Sequence, residues 1–165
     1  MIVVADASPV CYLILIGEIE VLSKLFTRVL LPIEVLRELQ DAGAPPPVRA
    51  WANAPPSWVT ICDAPQSAGS NSDNKMDRLQ AGERATILLA ESIHAALILV
   101  DEKSARRVAA ERGLRFTGLL GVLVEAANGG FVDMAAAINR LTKTNFRYSP
   151  GLLKAAWERH QAKKR

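Results

Sequence analysis

The feature that most restricts the fold of this chain is a pair of short apolar runs, each ending directly in an acid. Ile2-Val3-Val4-Ala5 meets Asp6, and Leu97-Ile98-Leu99-Val100 meets Asp101. Neither run alternates apolar with polar residues. A strand with one face in water alternates; a strand covered on both faces does not, and such strands belong to parallel sheets flanked by helices. Val29-Leu30-Leu31, Trp58-Val59-Thr60-Ile61 and Leu114-Arg115-Phe116-Thr117 supply three further strands, with Trp58 to Ile61 suited to an edge.

Helical patterns separate these runs. Ser8 is the expected N-cap of a first helix with Pro9 at its first position, stopping at Gly17. Residues 18–26 carry Ile19, Val21, Leu22 and Leu25 at helical spacing, and Pro32 opens a helix through Glu38 to about residue 41. Further helices are expected over 48–54, 79–95, 102–112 with Gly113 as a stop, 119–128, 133–143 and 150–162. Strand and helix in alternation predict βαβ units and an α/β fold around a mainly parallel sheet. Residues 67–75 are polar and Gly/Ser/Asn-rich; their flanks do not read as separate cores, so a surface loop is expected within one domain of 165 residues.

Half of the residues are apolar and only 5% aromatic, which predicts an aliphatic core. The net charge of +3 permits nucleic-acid binding without requiring it, and part of it sits in the terminal Lys163-Lys164-Arg165 run. Cys11 and Cys62 lie in apolar stretches and read as buried free thiols of a reducing compartment. His94 and His160 without a CxxC pair argue against zinc. The N-terminus lacks a positive region ahead of its apolar residues, and the longest apolar run, 9–16, falls short of the ~20 residues a membrane span needs. No membrane association and a cytoplasmic location are therefore expected.

In an open α/β sheet the functional crevice lies beyond the carboxyl ends of the strands. Asp6 and Asp101 occupy equivalent positions after two such strands. Each alone is an ordinary helix-cap acid; together they fall on one edge. Glu38 lies beside the buried face set by Ile33, Val35, Leu36 and Leu39, where a solvated acid is the ordinary explanation. Glu83 opens a helix in line with Ile87 and Ala90, where the ordinary explanation is a first-turn acid favoured by the helix dipole. Carboxylates from four separate segments repel one another unless a cation joins them, and an all-oxygen donor set suits Mg²⁺ or Mn²⁺.

The motifs that carry these acids resemble those of PIN domains. Val3-Val4-Ala5-Asp6-Ala7-Ser8-Pro9-Val10 resembles the family's first strand and acid. Leu31 to Leu39 resembles its second acidic segment, Leu79 to Ala90 its third, and Ile98 to Arg107 its fourth. Thr117 to Leu123 is similar to a PIN-like subfamily of uncharacterised prokaryotic proteins. The resemblance runs to Tyr148, so residues 1–148 form the PIN-like unit and 149–165 a C-terminal helix and basic tail of the same domain. It implies a three-layer α/β/α fold and a Mg²⁺- or Mn²⁺-dependent ribonuclease acting on single-stranded RNA. On this basis Asp6, Glu38, Glu83 and Asp101 carry the metal and the chemistry, with Ser8 and Glu102 supporting. Many relatives are VapC-type toxins restrained by a small antitoxin, and many form homodimers. The chain departs from the pattern in having Glu at the third position and only Glu102 near the fourth.

Lys103, Arg106 and Arg107 follow Asp101, and Arg84 follows Glu83; these are candidate contacts to RNA phosphates, against the ordinary explanation of a solvated helix face. Trp51, Trp58 and Trp157 are candidates for base stacking, with core packing as the simpler account. The competing function is a catalytically weak or inactive PIN-like module that binds RNA or a partner protein. A phosphatase of the haloacid-dehalogenase type is disfavoured because the second acid it needs is Ser8 here, and a receiver domain because the acidic pair it needs is absent.

Overall fold

Five apolar runs line up side by side in this computed structural model, which describes residues 1–66 and 74–164. The elements are β1 (Ile2–Ala5), α1 (Ala7–Leu15), α2 (Val21–Leu25), β2 (Arg28–Pro32), α3 (Ile33–Leu39), α4 (Pro46–Asn53), β3 (Val59–Cys62), α5 (Asn74–Asp77), α6 (Ala81–Ser92), β4 (Leu97–Leu99), α7 (Lys103–Glu111), β5 (Phe116–Thr117), α8 (Leu119–Asn128), α9 (Met134–Thr142) and α10 (Pro150–Lys163). The strands form one five-stranded sheet in the order β3-β2-β1-β4-β5, and every neighbouring pair is parallel.

The unbroken apolar character of β1 follows from its central place. Val3, Val4 and Ala5 are fully buried, and the period-two pleat sorts the strand side chains to opposite faces. Val3, Ala5, Val29, Leu31 and Leu99 join one core with residues of α1, α3, α4, α8 and α9. Val4, Leu30, Ile98 and Val100 join the other with residues of α6 and α7. The result is a three-layer α/β/α fold. The chain leaves β1 towards β2 and β3 on one side and returns to β4 and β5 on the other, so the strand order reverses between β1 and β4. Such a switch point opens a crevice beyond the strand ends.

Three local expectations are corrected. The first helix begins at Ala7 and Asp6, not Ser8, is its N-cap residue, which places Pro9 third in the helix. The first-turn N–H groups have no intrahelical acceptor, so proline is tolerated there without loss of a bond. The second helix is confined to Val21–Leu25, because residues 18–22 close through i→i+3 bonds from Val21 N to Glu18 O and from Leu22 N to Ile19 O. The last strand is cut to Phe116–Thr117, paired with Ile98 and Leu99. Helix α5 was not anticipated; of the polar segment 67–75, residues 67–73 lie outside the described residues, as does Arg165 of the basic tail.

Helix α10 packs against α8, with Ala156 fully buried and His160 Nδ1 3.0 Å from Asn128 Oδ1. Cys11 and Cys62 are free and half-buried. Trp51 and Trp58 pack on the first core with their rings 6.3 Å apart, while Trp157 is 38% exposed. Among the described residues no helix is long and apolar enough to cross a membrane.

Leu31 sits fully buried in β2. Leu31→Ala is expected to lower unfolding free energy by about 2–5 kcal/mol, read from the urea midpoint at unchanged m-value; a shift below about 0.5 kcal/mol, the range of surface substitutions, would contradict the core placement.

Candidate functional site

Parallel pairing delivers the first two acids to one place. The register sets Ala5 against Leu99, and Asp6 N donates to Leu99 O at 2.9 Å, so Asp6 and Asp101 emerge from adjacent strands at the switch point. Glu38 comes from α3 and Glu83 from the first turn of α6, two helices that lie against each other. Gly82 permits that approach. A Cβ there would stand 2.9 Å from Glu38 Oε2 and 3.3 Å from Asp6 Oδ1. The four predicted acids thus share one cavity of about 330 Å³, together with Ser8 and Glu102.

Burial and mutual repulsion shape the charges. Asp6 is 5% exposed. Desolvation lifts its pKa to about 7; an N–H bond from Ala7 opposes this, and Glu38, Glu83 and Asp101 add to the rise. Burial and Glu83 raise the Glu38 pKa. Glu83 is raised by burial, is held back by its bond from Gln80 N at 3.1 Å, and feels Glu102. The bond to Gln80 N is the first-turn role expected of such an acid, and it leaves Glu83 Oε1 uncommitted. Asp101 is raised by burial and relieved by Leu119 N, 2.9 Å from Oδ1, and by Arg106, whose Nη2 lies 3.6 Å from the same oxygen. Leu119 opens α8, so the positive end of that helix faces Asp101. Gly118 makes room, since a Cβ there would overlap the Arg106 guanidinium and the Asp101 carboxylate.

These donors suit an oxygen-preferring divalent cation in one specific respect. Asp101 Oδ2 is buried and has no hydrogen-bond partner, an arrangement that costs free energy unless something fills it. Asp6 is likewise held near acids that a cation would reconcile. Among the described residues, however, no group of three or more Asp, Glu, His or Cys side chains stands close enough to form a ready coordination shell.

The predicted basic residues separate. Arg106 donates through Nε to Val100 O at 2.8 Å, lies over the Phe116 ring and flanks Asp101. Arg84 is directed to the carbonyls of Met76, Asp77 and Leu79 and lines a different hollow. Lys103 and Arg107 are exposed on α7 outside the cavity lining. The remaining wall, absent from the sequence argument, is Tyr12, Gln80, Asn145, Phe146 and Arg147. Tyr12 was accessible in principle, because it follows Ser8 by four positions on α1 and shares its face. Residues 145–147 reach the acids only through the tertiary fold.

Comparison with known proteins gives a family model described as a PIN domain that matches residues 2–162. No curated protein and no solved structure matches.

Two outcomes follow. The folded Asp6 binds its proton to a higher pH than the unfolded chain does, so its burial costs stability increasingly as pH rises from about 4 to about 7. In chelator-containing buffer, Asp6→Asn is expected to gain on wild type across that window, by up to about 4 kcal/mol above it; parallel pH–stability curves would refute the assignment. Gly82→Ala is expected to keep thermal stability within about 1 kcal/mol, since alanine favours the helix, yet to displace the Glu38 carboxylate and shift the Mn²⁺ midpoint of thermal stabilisation upward at least threefold. An unchanged midpoint would show that this close approach does not matter.

Proposed function

The chain belongs to the PIN-domain family, and from that premise we propose that it is a divalent-metal-dependent ribonuclease that hydrolyses phosphodiester bonds of single-stranded RNA. PIN domains are generally nucleases. The observation that most supports the finer reading is the pairing of Asp6 and Asp101 at the switch point, one with its pKa lifted partly by three other acids and one with an unpartnered buried oxygen. Asp6 and Asp101 would form the floor of a Mg²⁺ or Mn²⁺ site, with Glu38 and Glu83 completing it from the rim. A divalent ion held there supplies Lewis acidity and neutralises charge that develops on the phosphate.

The side chains divide the remaining work. Glu38 makes no hydrogen bond or ion pair among the described residues, and its raised pKa suits a carboxylate oxygen that takes a proton from the attacking water. Glu83 is fixed through Oε2 by Gln80 N and lines the cavity. Ser8 lines the same wall and can orient that water. A toxin role with a small antitoxin and a homodimer belong to the same proposal and rest on the family resemblance; a cytoplasmic location belongs to it too and rests on the sequence pattern.

One observation favours a second reading, a PIN-like module that binds RNA or a protein without cutting. Arg106 already occupies one side of Asp101, and the acids stand apart.

Labelled single-stranded RNA incubated with Mn²⁺ or Mg²⁺, and with chelator, separates the two. Metal-dependent cleavage that falls at least about 100-fold in the Asp6→Asn, Asp101→Asn double variant is expected. Binding without cleavage in every metal would establish the second reading, and equal cleavage by both proteins would remove the site assignment.

A further inference from the structure

The cavity presents a difficulty for a polyanionic substrate. Asp6, Glu38, Glu83, Asp101 and Glu102 all line it, and among the described residues the single cation in its wall is Arg147. Arg147 belongs to the segment between α9 and α10, of which Asn145, Phe146 and Arg147 line the cavity. Its neighbours are all committed elsewhere. Thr144 Oγ1 donates to Leu141 O at 2.6 Å and accepts from Phe146 N at 3.2 Å. Asn145 Oδ1 accepts from the Tyr12 hydroxyl at 2.8 Å. The Phe146 ring meets Tyr12 edge to face at 4.9 Å and stacks with Tyr148 at 6.1 Å. Ser149 caps α10 through Leu152 N. Arg147 stands exposed between the two anchored aromatics and has no hydrogen bond or ion pair among the described residues.

A guanidinium pinned by its neighbours but left free at its own tip, beside acids it does not pair with, is arranged to meet a ligand from outside. Its planar fork matches two phosphate oxygens. The cations that the sequence singles out do not serve this purpose equally: Arg84 and Arg106 are turned to backbone carbonyls. We propose that Arg147, held in the cavity wall by the Tyr12–Asn145 hydrogen bond and the Phe146 ring, is the phosphate-binding residue of the site, clasping the RNA backbone beside the carboxylates. The inference rests on the reading of the cavity as an RNA site.

The test is fluorescence anisotropy of a short fluorescein-labelled single-stranded RNA, over a range of salt concentrations, in Ca²⁺ and again in chelator. Arg147→Ala is expected to weaken binding about tenfold and to reduce the log–log salt slope by about 0.7, the value of one lost contact to a single strand. Arg147→Lys is expected to restore the slope, which a merely structural role would not do, and thermal melting is expected to show each variant folded. Lys154→Ala, which removes an exposed cation of α10 outside this cavity, is the control. Affinity and slope unchanged in Arg147→Ala, or an equal loss in Lys154→Ala, would overturn the clasp while RNA binding by wild type leaves the site reading in place. Failure of wild type to bind RNA in either buffer would overturn both.

Discussion

Carrying carboxylate charge at the buried ends of parallel strands is the constraint around which the rest of the molecule is arranged. An ionised group loses hydration when buried, and a second acid nearby raises the cost again. Asp6 meets both conditions, being nearly inaccessible and flanked by Glu38, Glu83 and Asp101. The sheet imposes this placement: once Ala5 pairs with Leu99, the next residue of β1 lies at the crevice whatever its charge. Ordinary stability would favour a neutral residue at position 6. An acid there is intelligible as a compromise in which folding free energy is given up for a site that a cation or a proton can complete.

The two aspartates bear the constraint differently. Asp101 has the first N–H of α8 and the Arg106 guanidinium beside one oxygen, so its charge is partly answered by the protein itself. Asp6 has the N–H of Ala7 but no cation beside it among the described residues, and its pKa is raised to about 7. Glycines at 82 and 118 make both arrangements sterically feasible, one by letting α6 close on Glu38 and Asp6, the other by leaving space for Asp101 and Arg106 together. Neither glycine has a positive φ, so their common property is the missing side chain and not a left-handed backbone. Glycine is needed here because something else occupies the volume.

The chain shows its fold most clearly where local and tertiary demands agree. The apolar runs of β1 and β4 announce buried parallel strands, Gly17 and Gly113 stop their helices at positive φ, and α8 has the bounds its apolar pattern predicts. The acids that end these strands are legible for the same reason, since their position is set by sequence adjacency to a strand. Legibility fails where a contact distant in sequence decides. The helical spacing of Ile19, Val21 and Leu22 is real, but turns at residues 18–20 shorten the helix and Glu18 is held by Arg140 at 2.5 Å. Ser8 and Asp6 are equally good capping residues in isolation, and Asp6 takes the cap position because the sheet ends there. Basic residues are the extreme case: Arg84 follows Glu83 directly in sequence yet turns to the carbonyls of Met76, Asp77 and Leu79, while Arg106, five positions after Asp101, reaches both Val100 O and Asp101.

That last point bears on how such a site handles charge. Asp6 and Asp101 at strand ends and Glu83 in a first helical turn are placed by local backbone structure, so much of the negative potential of the cluster is part of the scaffold. Cations able to balance it sit on long flexible stems, and their direction is decided by whatever acceptor lies within reach. Arg106 finds Val100 O and Asp101 and becomes part of the scaffold too. Arg147 has no acceptor among the described residues, while its neighbours Thr144, Asn145, Phe146, Tyr148 and Ser149 are anchored by contacts of their own. The fold thus separates Arg106, which flanks Asp101, from Arg147, which lines the cavity without a partner among the described residues. The distinction comes from packing by Tyr12 and Phe146, residues without charge, and it is invisible in any count of charges along the chain.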